Sequence, residues 1–259
     1  MASFHQLTQS RDLKLGTYIG EFATPGMGQI LKASGCEYAF VDMEHSGFTF
    51  ETVKAVLRNL HDAGIATVVR PPSKSYTHFA RACDVGAQGL IAPLLGTVNE
   101  AQACLSAINY PPKGKRGCAL AIAHDDYRHM PVMDALNSAN AKTSLTALIE
   151  TAEGIENVDA IAALDGVDCL WIGHFDLSLS LCIPGEFDNP AFVSAVEAVV
   201  SAAKKHNKSL GRLVGSIEEG ASLYNDGFDF ICYLGDLWLL QKALREGLDG
   251  IRAAVGENA

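Results

Sequence analysis

Short apolar runs recur along the chain, and segments with apolar residues three and four positions apart separate them. Runs rich in valine, isoleucine, leucine and alanine are typical of parallel strands that are buried on both faces. We therefore predict about eight strands, which include residues 16–21, 38–42, 67–70, 89–92, 146–151, 169–173, 209–213 and 230–233.

The segments between these runs carry helix-capping signals. We predict that four side chains accept hydrogen bonds from the first turn of a helix: those of Thr49, Asn99, Asn189 and Asp236. Together with the apolar spacing, these signals predict helices over residues 25–34, 50–63, 78–85, 99–109, 154–164, 190–206 and 237–255.

Strands that alternate with helices in this way predict a (β/α)₈ TIM barrel, which typically takes about 250 residues as one unit. The chain has 259 residues, so we expect a single domain over residues 1–259. Residues 110–144 interrupt the alternation with a proline-rich loop and a polar stretch. An insertion of that length is more often a functional lid than a simple connection.

The last predicted helix is apolar on more than one face. Trp238 and Leu239 lie outside its main apolar stripe, so one face of a barrel would not bury all of its apolar side chains. We therefore expect this helix to pack on a neighbouring subunit of a homo-oligomer. The stripe consists of Leu237, Leu240, Leu244, Leu248, Ile251 and Val255.

Two acids follow neighbouring strands of the predicted barrel. Glu150 closes one apolar run, and Asp176 follows the next run, just beyond Gly173. The carboxyl ends of parallel strands meet at the end of a barrel where ligands bind. Two carboxylates about 4 Å apart would repel by roughly 4 kcal/mol at an effective dielectric near 20, so one is protonated or a cation lies between them. If a cation is present, the oxygen ligands favour Mg²⁺ or Mn²⁺ over zinc. The alternative to a metal site is that each acid caps a following helix.

Asp42, His45 and Arg70 also follow predicted strands. Burying an arginine there costs several kcal/mol unless an anion meets it. A histidine that titrates near neutral pH suits proton transfer. The backbone N–H groups around Gly173 to Asp176 are predicted to begin a helix, where they can bind the carboxylate of a substrate.

Composition narrows the class of protein. The formal net charge of −10 argues against nucleic acid or an anionic membrane as a partner. No run reaches the ~18 apolar residues of a membrane span, and the first residues lack a signal-peptide pattern. The seven cysteines contain no CxxC pair and indicate reduced thiols, so we expect a cytoplasmic protein.

Five motifs together resemble the HpcH/HpaI aldolase family, the class II (metal-dependent) pyruvate aldolases. They occur in order over nearly the whole chain, which is more specific than any one of them. The motifs are VDMEH at 41–45, VVRP at 68–71, YPPKGKRG at 110–117, IET at 149–151 and IGHFDLS at 172–178.

This resemblance implies a (β/α)₈ enzyme that cleaves 4-hydroxy-2-oxo acids to pyruvate and an aldehyde through an enolate. It implies Glu150 and Asp176 as ligands of Mg²⁺ or Mn²⁺, with Co²⁺ possible, and Arg70 as the group that binds the keto oxygen. His45, with Asp84 behind it and Asp42 nearby, would carry the acid–base steps. A homohexamer is also implied.

The chain departs from the family pattern beside the second acid. His174 and Phe175 stand where the family has proline and a small residue. Both are candidate substrate-binding residues together with Arg70, Gly173 and Asp176. A bulkier and less polar entrance would favour a small or apolar aldehyde.

Other functions remain open at the sequence level. A decarboxylase of oxaloacetate type, or a synthase that uses the same enolate, would share the metal and Arg70. A CoA-ester lyase is less favoured because the chain lacks a basic patch for the CoA phosphates. A non-catalytic barrel that binds a metabolite is the third alternative.

Overall fold

The computed structural model describes residues 2–256. Eight parallel strands form a closed barrel, in which each strand pairs with the next along the chain and the last pairs with the first. The strands are β1 (Lys14–Ile19), β2 (Tyr38–Asp42), β3 (Ala66–Arg70), β4 (Gly89–Ala92), β5 (Ser144–Ile149), β6 (Val167–Ile172), β7 (Ser209–Val214) and β8 (Phe230–Gly235).

Helices surround this barrel. They are α1 (Phe4–Leu7), α2 (Met27–Ala33), α3 (Phe50–Asp62), α4 (Tyr76–Asp84), α5 (Val98–Ile108), α6 (Val132–Lys142), α7 (Ala152–Ala162), α8 (His174–Ser180), α9 (Pro190–Lys205), α10 (Ile217–Asp226) and α11 (Asp236–Ala254). A 3₁₀ turn covers Ala123–Asp125. None of the helices within residues 2–256 is long and apolar enough to cross a membrane.

The predicted (β/α)₈ barrel is confirmed, and every predicted strand and helix ends within about two residues of an observed one. Thr49 and Asn189 cap α3 and α9 as expected. The prediction for Asn99 was wrong, because Thr97 caps α5 in a reciprocal capping box with Glu100.

Asp236 does not cap α11 either. The N-cap residue is Gly235, and Asp236 lies in the first turn. Its carboxylate accepts the backbone N–H groups of Glu21 at 3.0 Å and Phe22 at 2.8 Å, so it ties the start of α11 to the loop after β1.

The predicted lid segment contains secondary structure that the sequence analysis did not identify. Most of its second half is α6, which presents Val132 and Met133 to solvent.

Alternate residues of the strands fill the barrel interior. Tyr38 and Phe40 of β2, Leu148 of β5 and Trp171 of β6 belong to one buried cluster there. A Cβ atom at Gly211 of β7 would collide with the Trp171 ring, so glycine is required for this close approach.

The end of the barrel that carries the amino ends of the strands is closed, and we call it the lower end. Phe4 of α1 is fully buried there and packs on Phe230 with ring centroids 4.9 Å apart. A buried ionic group, which we call the lower cluster, lies at the same end. It consists of Arg11, Lys14, Ser209 and Asp229.

Helix α11 leaves part of the barrel uncovered. None of its residues is buried, and Leu244, Leu248 and Ile251 are 53%, 49% and 63% exposed. An apolar groove of about 950 Å³ lies between α2, α10, the first turns of α11 and the outer faces of β1 and β8. Leu15, Ile30, Ile217 and Tyr224 line it and are themselves exposed.

Candidate active site

The barrel interior is lined by polar side chains at the end that carries the carboxyl ends of the strands, which we call the upper end. Asp42 continues the inward series of Tyr38 and Phe40 on β2, and Arg70 continues that of Ala66 and Val68 on β3. Because side chains alternate along a strand, the sequence of each strand aims its last residue into the barrel mouth.

Asp42 and Arg70 form a buried two-point ion pair. Arg70 Nε and Nη2 donate to the two Asp42 carboxylate oxygens at 2.6 and 2.9 Å. Asp42 also accepts the Tyr18 hydroxyl at 2.8 Å and the backbone N–H groups of Glu44 and His45. Burial alone would raise the pKa of Asp42, but the hydrogen bonds and charge of Arg70 lower it below its ordinary value. Asp42 is therefore ionised and holds the guanidinium in one orientation.

Glu44 adds a second carboxylate to the same arginine. Its Oε2 lies 3.0 Å from Arg70 Nη1. Burial raises the pKa of Glu44, and the charges of Asp42 and Asp176 raise it further. The charges of Arg70 and His45 oppose this increase. The site therefore holds more negative charge than Arg70 neutralises.

Glu150 follows β5 and is only 2% exposed. Its Oε1 accepts the backbone N–H of Leu94 at 2.7 Å. Burial raises the pKa of Glu150 to about 7, and the charges of Asp176 and Glu44 add to this against the opposing Leu94 hydrogen bond and Arg70. Burial and the neighbouring carboxylates therefore disfavour the ionised form of Glu150 unless a cation balances its charge.

Asp176 lies on the neighbouring strand connection, as the sequence predicted. It occupies the first turn of α8, whose N-cap residue is Gly173, and Thr151 is the residue that caps α7. The alternative that Glu150 and Asp176 serve as helix caps is therefore wrong. A Cβ atom at Gly173 would collide with Glu150 Oε2, so glycine leaves the space in which the two connections approach.

The residues fit a divalent cation held by few protein ligands. No group of three or more histidine, cysteine or acidic side chains within residues 2–256 is arranged to bind a metal. Mg²⁺ and Mn²⁺ commonly use one or two carboxylates and complete their coordination with water and substrate oxygens. Glu150 and Asp176, with the raised pKa of Glu150, match that pattern.

His45 and Asp84, which the resemblance paired, have other hydrogen-bond partners in the structure. His45 is exposed and its backbone N–H donates to Asp42 at 3.0 Å. Asp84 lies at the end of α4 and accepts Arg116 Nη2 at 2.6 Å. Among the described residues no hydrogen bond joins His45 to Asp84, so their cooperation stays a prediction.

His174 and Phe175 begin α8 and stack with centroids 4.5 Å apart. Phe187 packs against the His174 ring at 5.3 Å and the Phe175 ring at 5.4 Å. Burial, with a smaller effect from the charge of Arg212, lowers the pKa of His174 to about 4. His174 is therefore a neutral packing residue near pH 7.

Sequence reasoning missed two residues of the site. Tyr18 bonds to Asp42, and Leu94 holds Glu150 through its backbone. Glu44, which binds Arg70, lies in the VDMEH motif that the sequence analysis identified. Leu94 contributes only a backbone group, and no side-chain pattern indicates that.

Comparison with known proteins bears on the family of the chain. A family model described as HpcH/HpaI aldolase/citrate lyase matches residues 16–238. The hydroxypyruvate/pyruvate aldolase of Pseudomonas aeruginosa is 30% identical over 244 residues, which are 94% of this chain and 90% of that protein. The 5-keto-4-deoxy-D-glucarate aldolase of Klebsiella pneumoniae is 29% identical and covers 89% of each chain.

The fold has a solved counterpart. The crystal structure of an HpcH/HpaI aldolase from Desulfitobacterium hafniense DCB-2 superposes with a TM-score of 0.91 at 24% identity, over 97% of each chain. The enzyme class predicted from the sequence, a pyruvate-type aldolase, is confirmed, and the decarboxylase and non-catalytic alternatives are not favoured. The chain belongs to the HpcH/HpaI aldolase/citrate lyase family.

Proposed function

We propose that the protein cleaves 4-hydroxy-2-oxo acids to pyruvate and an aldehyde, with a divalent metal held by Glu150 and Asp176. One observation carries the proposal. Asp42 and Glu44 contact Arg70 at the upper end, Glu150 and Asp176 add two more carboxylates there, and burial raises the pKa of Glu150 to about 7. A site with that excess of negative charge favours a cation, and Mg²⁺ and Mn²⁺ match its oxygen ligands.

When bound, the metal would supply positive charge for the enolate that carbon–carbon cleavage leaves behind. Arg70 acts on the same charge from a fixed position. Asp42 and Glu44 engage its Nε, Nη1 and Nη2, each through one contact. Since a guanidinium has five N–H donors, two remain for the keto oxygen of the substrate. A donor fixed before the reaction stabilises developing charge without reorganisation.

Binding of the substrate carboxylate is assigned to the connection from Gly173 to Asp176. The first backbone N–H groups of a helix lack intrahelical acceptors, and those of α8 lie beside the carboxylate pair. These N–H groups would orient the 2-oxo acid so that its keto oxygen faces Arg70.

His45 is proposed to move the proton of the 4-hydroxyl group. Its backbone is tied to Asp42, which places the imidazole beside the Arg70 pair, and the side chain is open to solvent. Asp84 and Asp42 stay proposed as its supporting acids. Exposure lets His45 exchange protons with water between turnovers.

A homo-oligomer is proposed from the uncovered surfaces. Helix α11 exposes an apolar stripe, and the groove between α2 and α10 exposes an apolar lining of similar character. Packing α11 of a second copy in this groove would remove both from water. Light scattering should give a multiple of 27.6 kDa, and the resemblance suggests six copies. Leu244→Asp together with Ile251→Asp should reduce that mass, and an unchanged mass would refute this contact.

The cytoplasm is the proposed location. All seven cysteines are unpaired. Four of them are buried among apolar side chains, which suits a reducing compartment.

Exchange of the methyl protons of pyruvate in D₂O tests the proposal. This exchange requires enolate formation but no aldehyde, so it does not depend on knowing the natural acceptor. Mg²⁺ or Mn²⁺ added to chelator-treated protein should restore it, together with cleavage of 4-hydroxy-2-oxo acids. Exchange that persists in excess chelator would show that no metal takes part.

A further inference from the structure

Two large apolar side chains are exposed beside the carboxylate pair. Leu94 follows β4 and is 48% exposed, and Phe175 follows β6 and is 62% exposed. Strand β5, which presents Glu150, lies between β4 and β6. Leu94 and Phe175 therefore flank Glu150 on the two neighbouring connections.

Leu94 is held in an unfavourable backbone conformation. Its φ of 49° lies in the left-handed region, which a bulky side chain rarely adopts. Two contacts hold it there. Its N–H donates to Glu150 at 2.7 Å, and its carbonyl accepts Lys74 Nζ at 2.6 Å. The fold thus retains a strained leucine at a position where a glycine would be relaxed.

Phe175 is exposed but not free to move. Its ring packs on His174 and on Phe187, and Phe187 packs in turn on Phe192 of α9 with centroids 5.3 Å apart. The Ser178 hydroxyl donates to the Phe175 carbonyl at 2.7 Å, which fixes the first turn of α8. The ring is a rigid apolar surface one residue from Asp176.

We infer that Leu94 and Phe175 form an apolar rim that selects aldehydes with aliphatic or aromatic substituents over polyhydroxylated ones. The inference rests on the proposed aldolase function and specifies its acceptor class. The aldehyde carbon must approach the enolate beside Glu150 and Asp176, so its substituent extends across the connections that carry the rim. Hydroxyl groups placed against Leu94 and Phe175 would lose hydrogen bonds to water without replacement. An alkyl or aryl substituent would bury apolar surface there instead.

Aldol addition of pyruvate to two acceptors tests the rim. We would measure kcat/KM for butanal and for D-glyceraldehyde with wild type, Phe175→Ala and Leu94→Asn. Asparagine tolerates the left-handed conformation and keeps the backbone N–H that Glu150 accepts. The ratio of butanal to glyceraldehyde should exceed one in wild type and fall about tenfold in each variant. Leu179→Ala is the matched control, because Leu179 is 59% exposed one turn further along α8. Its ratio should stay within about twofold of wild type.

Several results would overturn the rim. The first is a ratio below one in wild type. A ratio that changes less than about twofold in both variants is the second, and an equal fall in Leu179→Ala is the third. A Phe175→Ala protein with an unchanged ratio but a lower mass in light scattering would identify the ring as a subunit contact instead. Pyruvate proton exchange on the same wild-type preparation distinguishes failure of the aldolase function from failure of the rim. Its absence would refute the aldolase itself, whereas its presence with an unchanged ratio refutes only the rim.

Discussion

The two ends of the barrel each hold a buried ionic group, and the two groups differ in whether their charges are compensated. In the lower cluster, Asp229 Oδ2 accepts Lys14 Nζ at 3.0 Å and the Ser209 hydroxyl at 2.8 Å, while Oδ1 accepts the Leu210 N–H at 2.7 Å. Arg11 adds a contact at 3.2 Å. One carboxylate there meets two cations.

The upper cluster has the opposite balance. Asp42, Glu44, Glu150 and Asp176 share one cation, Arg70. In the lower cluster Lys14, Ser209 and Asp229 are buried and Arg11 lies at the solvent edge, whereas the upper cluster opens to solvent at His45 and Phe175. A satisfied buried network stabilises the fold, and an unsatisfied one at the ligand-binding end of a barrel indicates a ligand that completes it.

The largest effect is expected from a substitution that changes only the upper cluster. Glu150→Gln should reduce metal-dependent pyruvate exchange to background, because the neutral amide is a poor ligand for a hard cation. The protein should stay folded, since the amide oxygen can still accept the Leu94 N–H. Exchange by NMR and far-UV circular dichroism measure the two quantities. Wild-type exchange in this variant would remove Glu150 from the site.

The matching change in the lower cluster should affect stability instead. Asp229→Ala leaves Lys14, whose side chain is 3% exposed, buried without its anionic partner, so the free energy of unfolding should fall by about 3–5 kcal/mol. Urea denaturation measures this. Asp159→Ala is the control, because its pair with Lys205 is largely exposed and its loss should leave the free energy of unfolding close to that of wild type. Equal losses in the two variants would contradict the assignment of the lower cluster.

The upper cluster should also make the free energy of unfolding depend on pH. The pKa of Glu150 is raised in the folded state, from 4.5 to about 7, so this carboxyl stabilises the metal-free fold below pH 4.5. That contribution is lost as the pH rises through about 7, on the order of 3 kcal/mol.

Urea denaturation of metal-free protein at pH 5 and pH 8 should therefore show a loss of stability in wild type that is reduced in Glu150→Gln. Addition of Mg²⁺ should raise the Tm of wild type more at pH 8 than at pH 5, because the ionised carboxylate is the ligand. Identical pH profiles for the two proteins would mean that Glu150 titrates normally.

A smaller effect is expected from Arg70→Ala. Charge on the keto oxygen grows as the enolate forms, so kcat should fall about 10²-fold while KM changes less. Arg70→Lys keeps the charge but lacks the two-point geometry towards Asp42, and should recover only part of the rate. A rise in KM alone would show that Arg70 binds the ground state only.

The fold and the charged residues of the upper cluster were predictable because strand sequences show them directly. Asp42, Arg70 and Glu150 each end or follow an apolar run, and parallel strands bring such residues together. The left-handed Leu94, the Tyr18 hydrogen bond and the pairing of Asp84 with Arg116 depend on three-dimensional contacts between separate segments. Helix α6 was missed because its single buried residue, Ala135, leaves little apolar periodicity to detect.

Titration of metal-free protein with Mn²⁺ at pH 8, followed by the EPR signal of the free ion, tests the central claim most directly. The unbalanced upper cluster should bind one Mn²⁺ per chain in wild type, and Glu150→Gln should lose that site. Asp229→Asn, which changes only the lower cluster, should bind Mn²⁺ as wild type does at a temperature where it is folded. Binding of Mn²⁺ to Glu150→Gln with wild-type affinity and stoichiometry would contradict the claim that the upper cluster is the metal site.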